Sequence, residues 1–176
     1  MQVARYSDIK AIVGCGDLIE TRTNRVIGPI IRAFTGQEVN HSTMAVILAL
    51  PGSDYQRRYI IEADGGAVKL KPLSLYIREH AGDLFWSPVR PIYSDSRNLL
   101  SQASLELEGT KYDWKSLFFC AAGPVTLDKK KLLCSEMVQV AAIWAGLILS
   151  TFNSGKILRP GELHKTGIWE KPTIII

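Results

Sequence analysis

The chain has 176 residues, of which 47% are hydrophobic and 22% charged, with a formal net charge of +4. A chain of this length suits one hydrophobic core, so we expect residues 1–176 to form a single domain. The composition is that of a globular protein and excludes extensive disorder. The basic excess is small and scattered, which argues against a nucleic-acid-binding protein.

The chain carries no targeting or membrane signal that its sequence reveals. Its first twenty residues lack the basic region and apolar run of a secretory signal. The most apolar stretch, Met137–Leu149, is shorter than the roughly 20 residues that span a bilayer, and it predicts a buried core helix. The three cysteines, Cys15, Cys120 and Cys134, have neither a disulfide nor a metal-ligand spacing. We therefore expect a cytoplasmic protein with no integral membrane segment, cofactor or metal.

The first third of the chain predicts short strands and one helix. We expect a short strand before the turn at Gly14 and Gly16, and a second strand at Leu18–Glu20. Apolar residues at helical spacing predict a short helix over 24–36, which Gly28 and Pro29 shorten or bend.

The middle of the chain predicts the main part of a sheet. The stretches "HSTMAVILAL" and "RRYIIEADGG" are rich in strand-forming residues and indicate a hairpin with a loop at Pro51–Gln56. The alternating pattern of "AVKLKPLSLYI" predicts a third strand, and "GDLFWSPVR" a fourth.

The remainder of the chain predicts mainly helices. One helix is expected over 95–109, with Asp95 or Ser96 as its N-cap, a second near 112–123, and a third over Cys134–Leu149. The turn-rich tail ends on a possible strand. The sequence therefore predicts an α+β domain with a mostly antiparallel sheet, followed by helices.

Cys134 is the first candidate for chemistry, because it opens the apolar helix "CSEMVQVAAIWAGLIL". A cysteine is a nucleophile only as the thiolate, and the N-terminus of a helix favours negative charge there. Free cysteine is also among the most often buried residue types, so a purely structural role remains open at this point.

Two further residues supply what a thiol nucleophile needs, which is a base and a group that orients the base. His41 opens the predicted strand "HSTMAVILAL", whereas His80 and His164 lie in stretches that indicate surface positions. Glu62 interrupts the apolar run "YIIEA", and a buried carboxylate there needs a partner. If the hairpin pairs as predicted, Glu62 lies within reach of His41.

Five motifs in order resemble the circularly permuted papain-like hydrolases of the NlpC/P60 superfamily, in particular the YiiX/YaeF-like group. They are "GDLIETRT", "NHSTMAVIL", "YIIEADGGAVKLKPL", "GTKYDW" and "LLCSEMVQVA", and they cover nearly the whole chain. The resemblance implies a mostly antiparallel sheet or partial barrel packed against helices, with the nucleophile on a C-terminal core helix. It implies an acyl-enzyme on Cys134, with His41 as base and Glu62 as the third member of the triad.

Weaker candidates surround this triad. The backbone N–H of Cys134 is the natural first donor of an oxyanion hole. Tyr112, Asp17 and Ser135 are further candidates for oxyanion or substrate contacts, although we favour structural roles for Tyr112 and Asp17. The lysines at 129–131 are most simply a solvated loop.

The sequence leaves three classes of function open. A cysteine hydrolase would act on a peptide, an amide or a lipid-like acyl substrate. A lecithin:retinol-type acyltransferase would use the same thiol with another acceptor. A non-catalytic binding or metal-site domain would use His41, Glu62 and His164, although a zinc site needs three or four converging ligands.

Overall fold

The computed structural model describes residues 2–23, 36–49, 52, 55–112, 131–148 and 158–176, with only the backbone at 112, 131 and 132. Nine strands lie within these ranges: β1 Gln2–Ala4, β2 Leu18–Thr23, β3 His41–Ala49, β4 Gln56–Asp64, β5 Ala67–Pro72, β6 Gly82–Ser87, β7 Lys111–Tyr112, β8 Lys131–Leu132 and β9 Thr173–Ile175. The same ranges contain four α-helices: α1 Tyr6–Ile9, α2 Leu73–Glu79, α3 Arg97–Leu105 and α4 Cys134–Trp144. Short 3-10 turns lie at Pro91–Ser96 and Leu163–Thr166.

The described strands form one sheet in the order β1-β9-β6-β2-β3-β4-β5-β7-β8. The central pairs are antiparallel, and only the edge pairs β1–β9 and β7–β8 are parallel. The predicted α+β class, with a mostly antiparallel sheet packed against helices, is therefore confirmed. The predicted hairpin is the β3–β4 pair.

The two faces of the sheet cover separate cores, because successive side chains of a strand alternate between faces. On β3, Met44 and Val46 belong to the core that contains residues of helices α3 and α4. Ala45 belongs instead to the core that contains Ile9 of α1 and Tyr76 of α2. By the same alternation, Ser42 shares the face of Met44, and His41 shares the face of Ala45.

Helix α4 is buried from Cys134 to Ala142, as its apolar sequence predicts. The carboxylate of Glu136 accepts the backbone N–H of Leu133 at 3.1 Å, which satisfies a donor that the helix start would otherwise leave open. Met137 is fully buried, so truncation to alanine would cost about 2–5 kcal/mol of stability. The core thus fixes the direction in which the first turn of α4 points.

Some predicted elements differ from the structure. The segment before Gly14 is not a strand: it contains helix α1, and Ile9 and Val13, four residues apart, both pack into the second core. The predicted third strand stops at Pro72, which has no N–H to continue the ladder, and the chain continues as α2. The predicted helix over 95–109 occupies only Arg97–Leu105 as α-helix.

The bounds of other predicted elements also differ from those in the structure. The strand predicted at Leu18–Glu20 continues to Thr23, and the helix predicted over Cys134–Leu149 ends at Trp144, before Gly146 adopts a positive φ. The tail ends on β9 as expected. The helices predicted over 24–36 and 112–123 lie outside the described residues.

None of the helices in the described part of the chain has both the length and the apolar character that crossing a bilayer requires.

Candidate active site

Cys134 is the first residue of α4, and it lies where the helix meets β3. Only 7% of the residue is exposed, so the side chain is largely buried. Backbone N–H groups of Ser42 and Ser135 point at the sulfur. Hydrogen-bond donors at a helix N-terminus stabilise a thiolate, so this position suits an ionised sulfur.

His41 and Glu62 lie on neighbouring strands and share one face of the sheet. His41 Nε2 is 2.9 Å from Glu62 Oε2, as the predicted hairpin required. Because a carboxylate only accepts, Nε2 carries the proton, and Nδ1 is the ring nitrogen left for another partner. The side chain of Glu62 is 4% exposed and that of His41 19%, so the carboxylate is enclosed while the ring remains reachable.

His41 and Cys134 interact directly and shift each other's protonation. Burial disfavours the imidazolium, but the Cys134 sulfur and the Glu62 carboxylate outweigh it, so the pKa of His41 lies well above its ordinary value. Burial likewise opposes the thiolate, but His41 and the two backbone N–H groups outweigh it and lower the pKa of Cys134. The arrangement therefore favours a thiolate–imidazolium pair.

The end of the β3–β4 ladder explains how the sulfur reaches the strand. The β3–β4 ladder begins at the pair Met44–Ile61, and Ser42 lies two residues before this pair in the chain. The N–H of Ser42, which would have bonded to a strand neighbour, is directed at Cys134 instead. The helix start thus takes the place of a missing strand partner.

Asp17 lies away from this group and is engaged in structural contacts. It is fully buried at the start of β2, opposite Ala45, whereas His41 lies at the other end of the β2–β3 pair. Its carboxylate accepts the backbone N–H groups of Gly14 and Val89 and the side-chain N–H groups of Trp86 and Arg97. These four bonds tie the turn before β2 to β6 and α3.

The other weak candidates have different outcomes. Ser135 is buried next to Cys134, and its backbone N–H faces the sulfur. The backbone of Tyr112 pairs with Leu132, two residues before Cys134, but its side chain lies outside the described residues. Residues 129 and 130 and the side chain of Lys131 lie outside them too.

Cys15 is not part of this group. The sulfur of Cys15 accepts the backbone N–H of Ile47 at 3.4 Å and belongs to the turn before β2. Cys120 lies outside the described residues.

His164, which the sequence placed at the surface, is paired with a buried carboxylate. Its Nε2 donates to Glu20, a residue of β2 that is 1% exposed. The only sequence signal was Glu20 itself, a carboxylate inside the strand "LIETRT", because a buried carboxylate requires a partner. Nothing in the sequence identified that partner, since His164 lies in a tail without periodicity.

Tyr76 on α2 is a second residue that the sequence did not single out. It is 6% exposed in the core that lies on the His41 face of the sheet. Burial, together with the charges of Glu62 and Cys134, raises its pKa far above the ordinary value. Tyr76 is thus a neutral phenol beside the charged groups.

Comparison with known proteins establishes the fold. No protein-family model and no curated protein sequence match the chain. Among solved structures, it is similar to the crystal structure of the metalloprotein yiiX from Escherichia coli O157:H7, with a TM-score of 0.60 and 17% sequence identity. The alignment covers 93% of this chain and 96% of that chain. The chain therefore has a YiiX-like α+β fold, as the resemblance in sequence had implied.

Proposed function

We propose that the protein is a thiol-dependent hydrolase of the permuted papain-like type within the NlpC/P60 superfamily. It cleaves an amide, isopeptide or ester bond through an acyl-enzyme on Cys134. One observation carries the proposal: Cys134 begins α4 in contact with His41, whose other ring nitrogen is 2.9 Å from Glu62. Such chemistry needs this spatial arrangement, in which a base lies between a nucleophile and an orienting group.

In the first half of the reaction, the Cys134 thiolate attacks the carbonyl carbon of the substrate and forms the carbon–sulfur bond. His41, as imidazolium, gives its Nδ1 proton to the leaving amine or alcohol as the carbon–nitrogen or carbon–oxygen bond breaks. Glu62 keeps the proton on Nε2 and holds the plane of the ring. The products are a thioester on Cys134 and the released leaving group.

In the second half, water attacks the thioester carbonyl. Neutral His41 takes a proton from this water through Nδ1, and the carbon–sulfur bond breaks to release the carboxylic acid. The sulfur leaves as the thiolate, next to a protonated His41. The starting ion pair is thereby restored without any outside reagent.

The N-terminus of α4 also stabilises the charge that develops on the substrate oxygen. The first amides of an α-helix have no acceptor within the helix, and the N–H of Cys134 is one of them. Such a fixed donor typically contributes about 2.7–4 kcal/mol of transition-state stabilisation. Tyr112 remains a proposed source of a second donor, because β7 pairs with the strand that leads into Cys134.

A metal-dependent function is the alternative that the similar structure suggests, because yiiX is called a metalloprotein. Such a function would require a group of side chains that can bind a metal ion. Within the ranges that the structure describes, no three His, Cys, Asp or Glu side chains converge closely enough to hold a metal ion. Protein zinc sites use three or four ligands. The described residues thus do not fit a metal site, and no step of the proposed reaction uses one.

The natural substrate is a peptide, an amide or a lipid-like acyl compound, and a reducing compartment such as the cytoplasm would keep the thiol free. A generic acyl donor tests the chemistry without knowledge of that substrate. On treatment with p-nitrophenyl acetate, Cys134 should attack the ester carbonyl, release p-nitrophenolate and carry the acetyl group as a thioester. Intact-mass and peptide analysis would locate the group.

The expected result is an acetyl group on Cys134 in the wild type and in the matched control Cys15→Ser, but none at this position in Cys134→Ser. Acetylation confined to lysines, or equal in all three proteins, would contradict the proposal. Adding an alcohol or amine acceptor distinguishes the two acyl-transfer classes, because only an acyltransferase would pass the acetyl group to the acceptor faster than to water.

A further inference from the structure

A second polar cluster lies on the opposite face of β3 from His41. Its centre is Glu20, which is 1% exposed on β2. One carboxylate oxygen accepts the hydroxyl of Ser42 at 3.0 Å and the backbone N–H of Gly161 at 2.8 Å. The other oxygen accepts Nε2 of His164. Removing a carboxylate from water is costly, and these three donors replace the hydrogen bonds to water that burial takes away.

The cluster joins the C-terminal tail to the strands beside the thiol. His164 lies in the 3-10 turn Leu163–Thr166, and Leu163 is fully buried in the same core as α4. Gly161 comes from the loop just before this turn. The bonds to Glu20 therefore fix the tail against β2 and β3 at the end of the sheet where α4 begins.

Ser42 connects the cluster to Cys134. Its hydroxyl is held by Glu20 on one face of the sheet, while its backbone N–H is directed at the Cys134 sulfur. Ser42 is paired with Glu20 in the β2–β3 ladder, but it lies beyond the last pair of the β3–β4 ladder, so strand pairing holds it on the β2 side only. The bond from the Ser42 hydroxyl to the Glu20 carboxylate adds a second restraint to this one-sided pairing.

We propose that Glu20 and His164 are positioning residues, which hold Ser42 so that its N–H stays directed at the sulfur of Cys134. This inference rests on the proposed function, because it gives the Ser42 N–H its purpose in stabilising a thiolate. His164 supports Glu20 from the tail, and Glu20 acts on the thiol only through Ser42. Neither residue touches the substrate.

The test follows thiolate formation through its ultraviolet absorbance as pH is varied, with the Cys134→Ser spectrum subtracted. Ser42→Ala removes the hydroxyl but retains the backbone N–H, and Glu20→Gln removes the charge at nearly constant shape. Lys165→Gln is the matched control, because it removes an exposed charge from the same 3-10 turn. Thermal unfolding of each variant reports separately on stability.

We expect the midpoint of thiolate formation to rise by about half a unit to one unit in Ser42→Ala and Glu20→Gln, because a hydrogen bond to the sulfur loses its alignment. Lys165→Gln should keep the wild-type midpoint. A folded Ser42→Ala with the wild-type midpoint would overturn the inference, and this variant decides the matter if Glu20→Gln does not fold. A wild-type protein with an ordinary thiol would instead overturn the proposed function.

Discussion

Two histidine–glutamate pairs flank β3, one on each face of the sheet. His41 is bonded to Glu62 on the face of the second core, and His164 to Glu20 on the face of α4. Both carboxylates are almost fully buried. Of these two histidines, only His41 interacts with the thiol of Cys134.

The difference shows that residue type alone does not assign a role. In the first pair, the ring contacts the Glu62 carboxylate and also interacts with the Cys134 sulfur. In the second pair, the carboxylate also accepts hydrogen bonds from the Ser42 hydroxyl and the Gly161 backbone N–H. The roles proposed for the two pairs therefore differ because their remaining contacts differ.

The largest expected effect comes from the nucleophile. Cys134→Ser should reduce ester turnover by about 10⁴-fold or more, because the hydroxyl at this position is a far weaker nucleophile than a thiolate. The unfolding temperature should change little, since the two side chains are nearly isosteric. Steady-state release of p-nitrophenolate measures the first, and calorimetry the second. Turnover that persists in this variant would remove Cys134 from the mechanism.

Substitution of the two histidines separates the pairs directly. His41→Gln should lower turnover by about 10²–10⁴-fold, because general acid–base catalysis is lost at both steps. Activity that does not respond to this change would show that the thiol acts without His41.

Glu62→Gln should have an effect roughly a hundredfold smaller than that of losing the nucleophile, as expected for a group that acts through the base. The amide keeps the shape of the side chain but carries no charge, so it stabilises the imidazolium less. The expected signature is a basic limb of the pH–rate profile that moves to lower pH, since the pKa of His41 falls. A profile with an unchanged basic limb would exclude Glu62 as the orienting group.

His164→Gln should have the smallest effect, a loss of turnover of about tenfold or less. His164 does not contact the thiol itself and acts on it only through Glu20 and then Ser42. Comparison of its turnover number with that of His41→Gln, under identical conditions, ranks the two pairs. Equal losses in the two variants would mean that the second pair is catalytic as well.

The sequence predicted the first pair for reasons that are local. His41 and Glu62 lie on two strands joined by a short loop, so the hairpin alone brings them within reach of one another. Cys134 was marked by the polar start of a long apolar helix. The second pair was not predicted, because Glu20 and His164 are far apart in the chain and only the assembled sheet and tail bring them together.

The elements that were mispredicted have a similar explanation. Alternation of apolar residues continues past Pro72, but the loss of one N–H ends the strand, and Leu73 and Tyr76 then pack into the second core from a helix. Ile9 and Val13 suit a short strand by composition and a helical turn by spacing. The missing N–H of Pro72 decides the first case, and packing of Ile9 and Val13 into the second core goes with the helical turn in the second.

The most direct test of the central claim is the ionisation of Cys134 in the substrate-free protein. Its lowered pKa and the raised pKa of His41 predict that the thiolate forms below the ordinary cysteine range and that the imidazolium persists above the ordinary histidine range. At neutral pH, the wild type should show thiolate absorbance that is missing from Cys134→Ser and strongly reduced in His41→Gln. Coincident spectra for the three proteins at neutral pH would contradict the account.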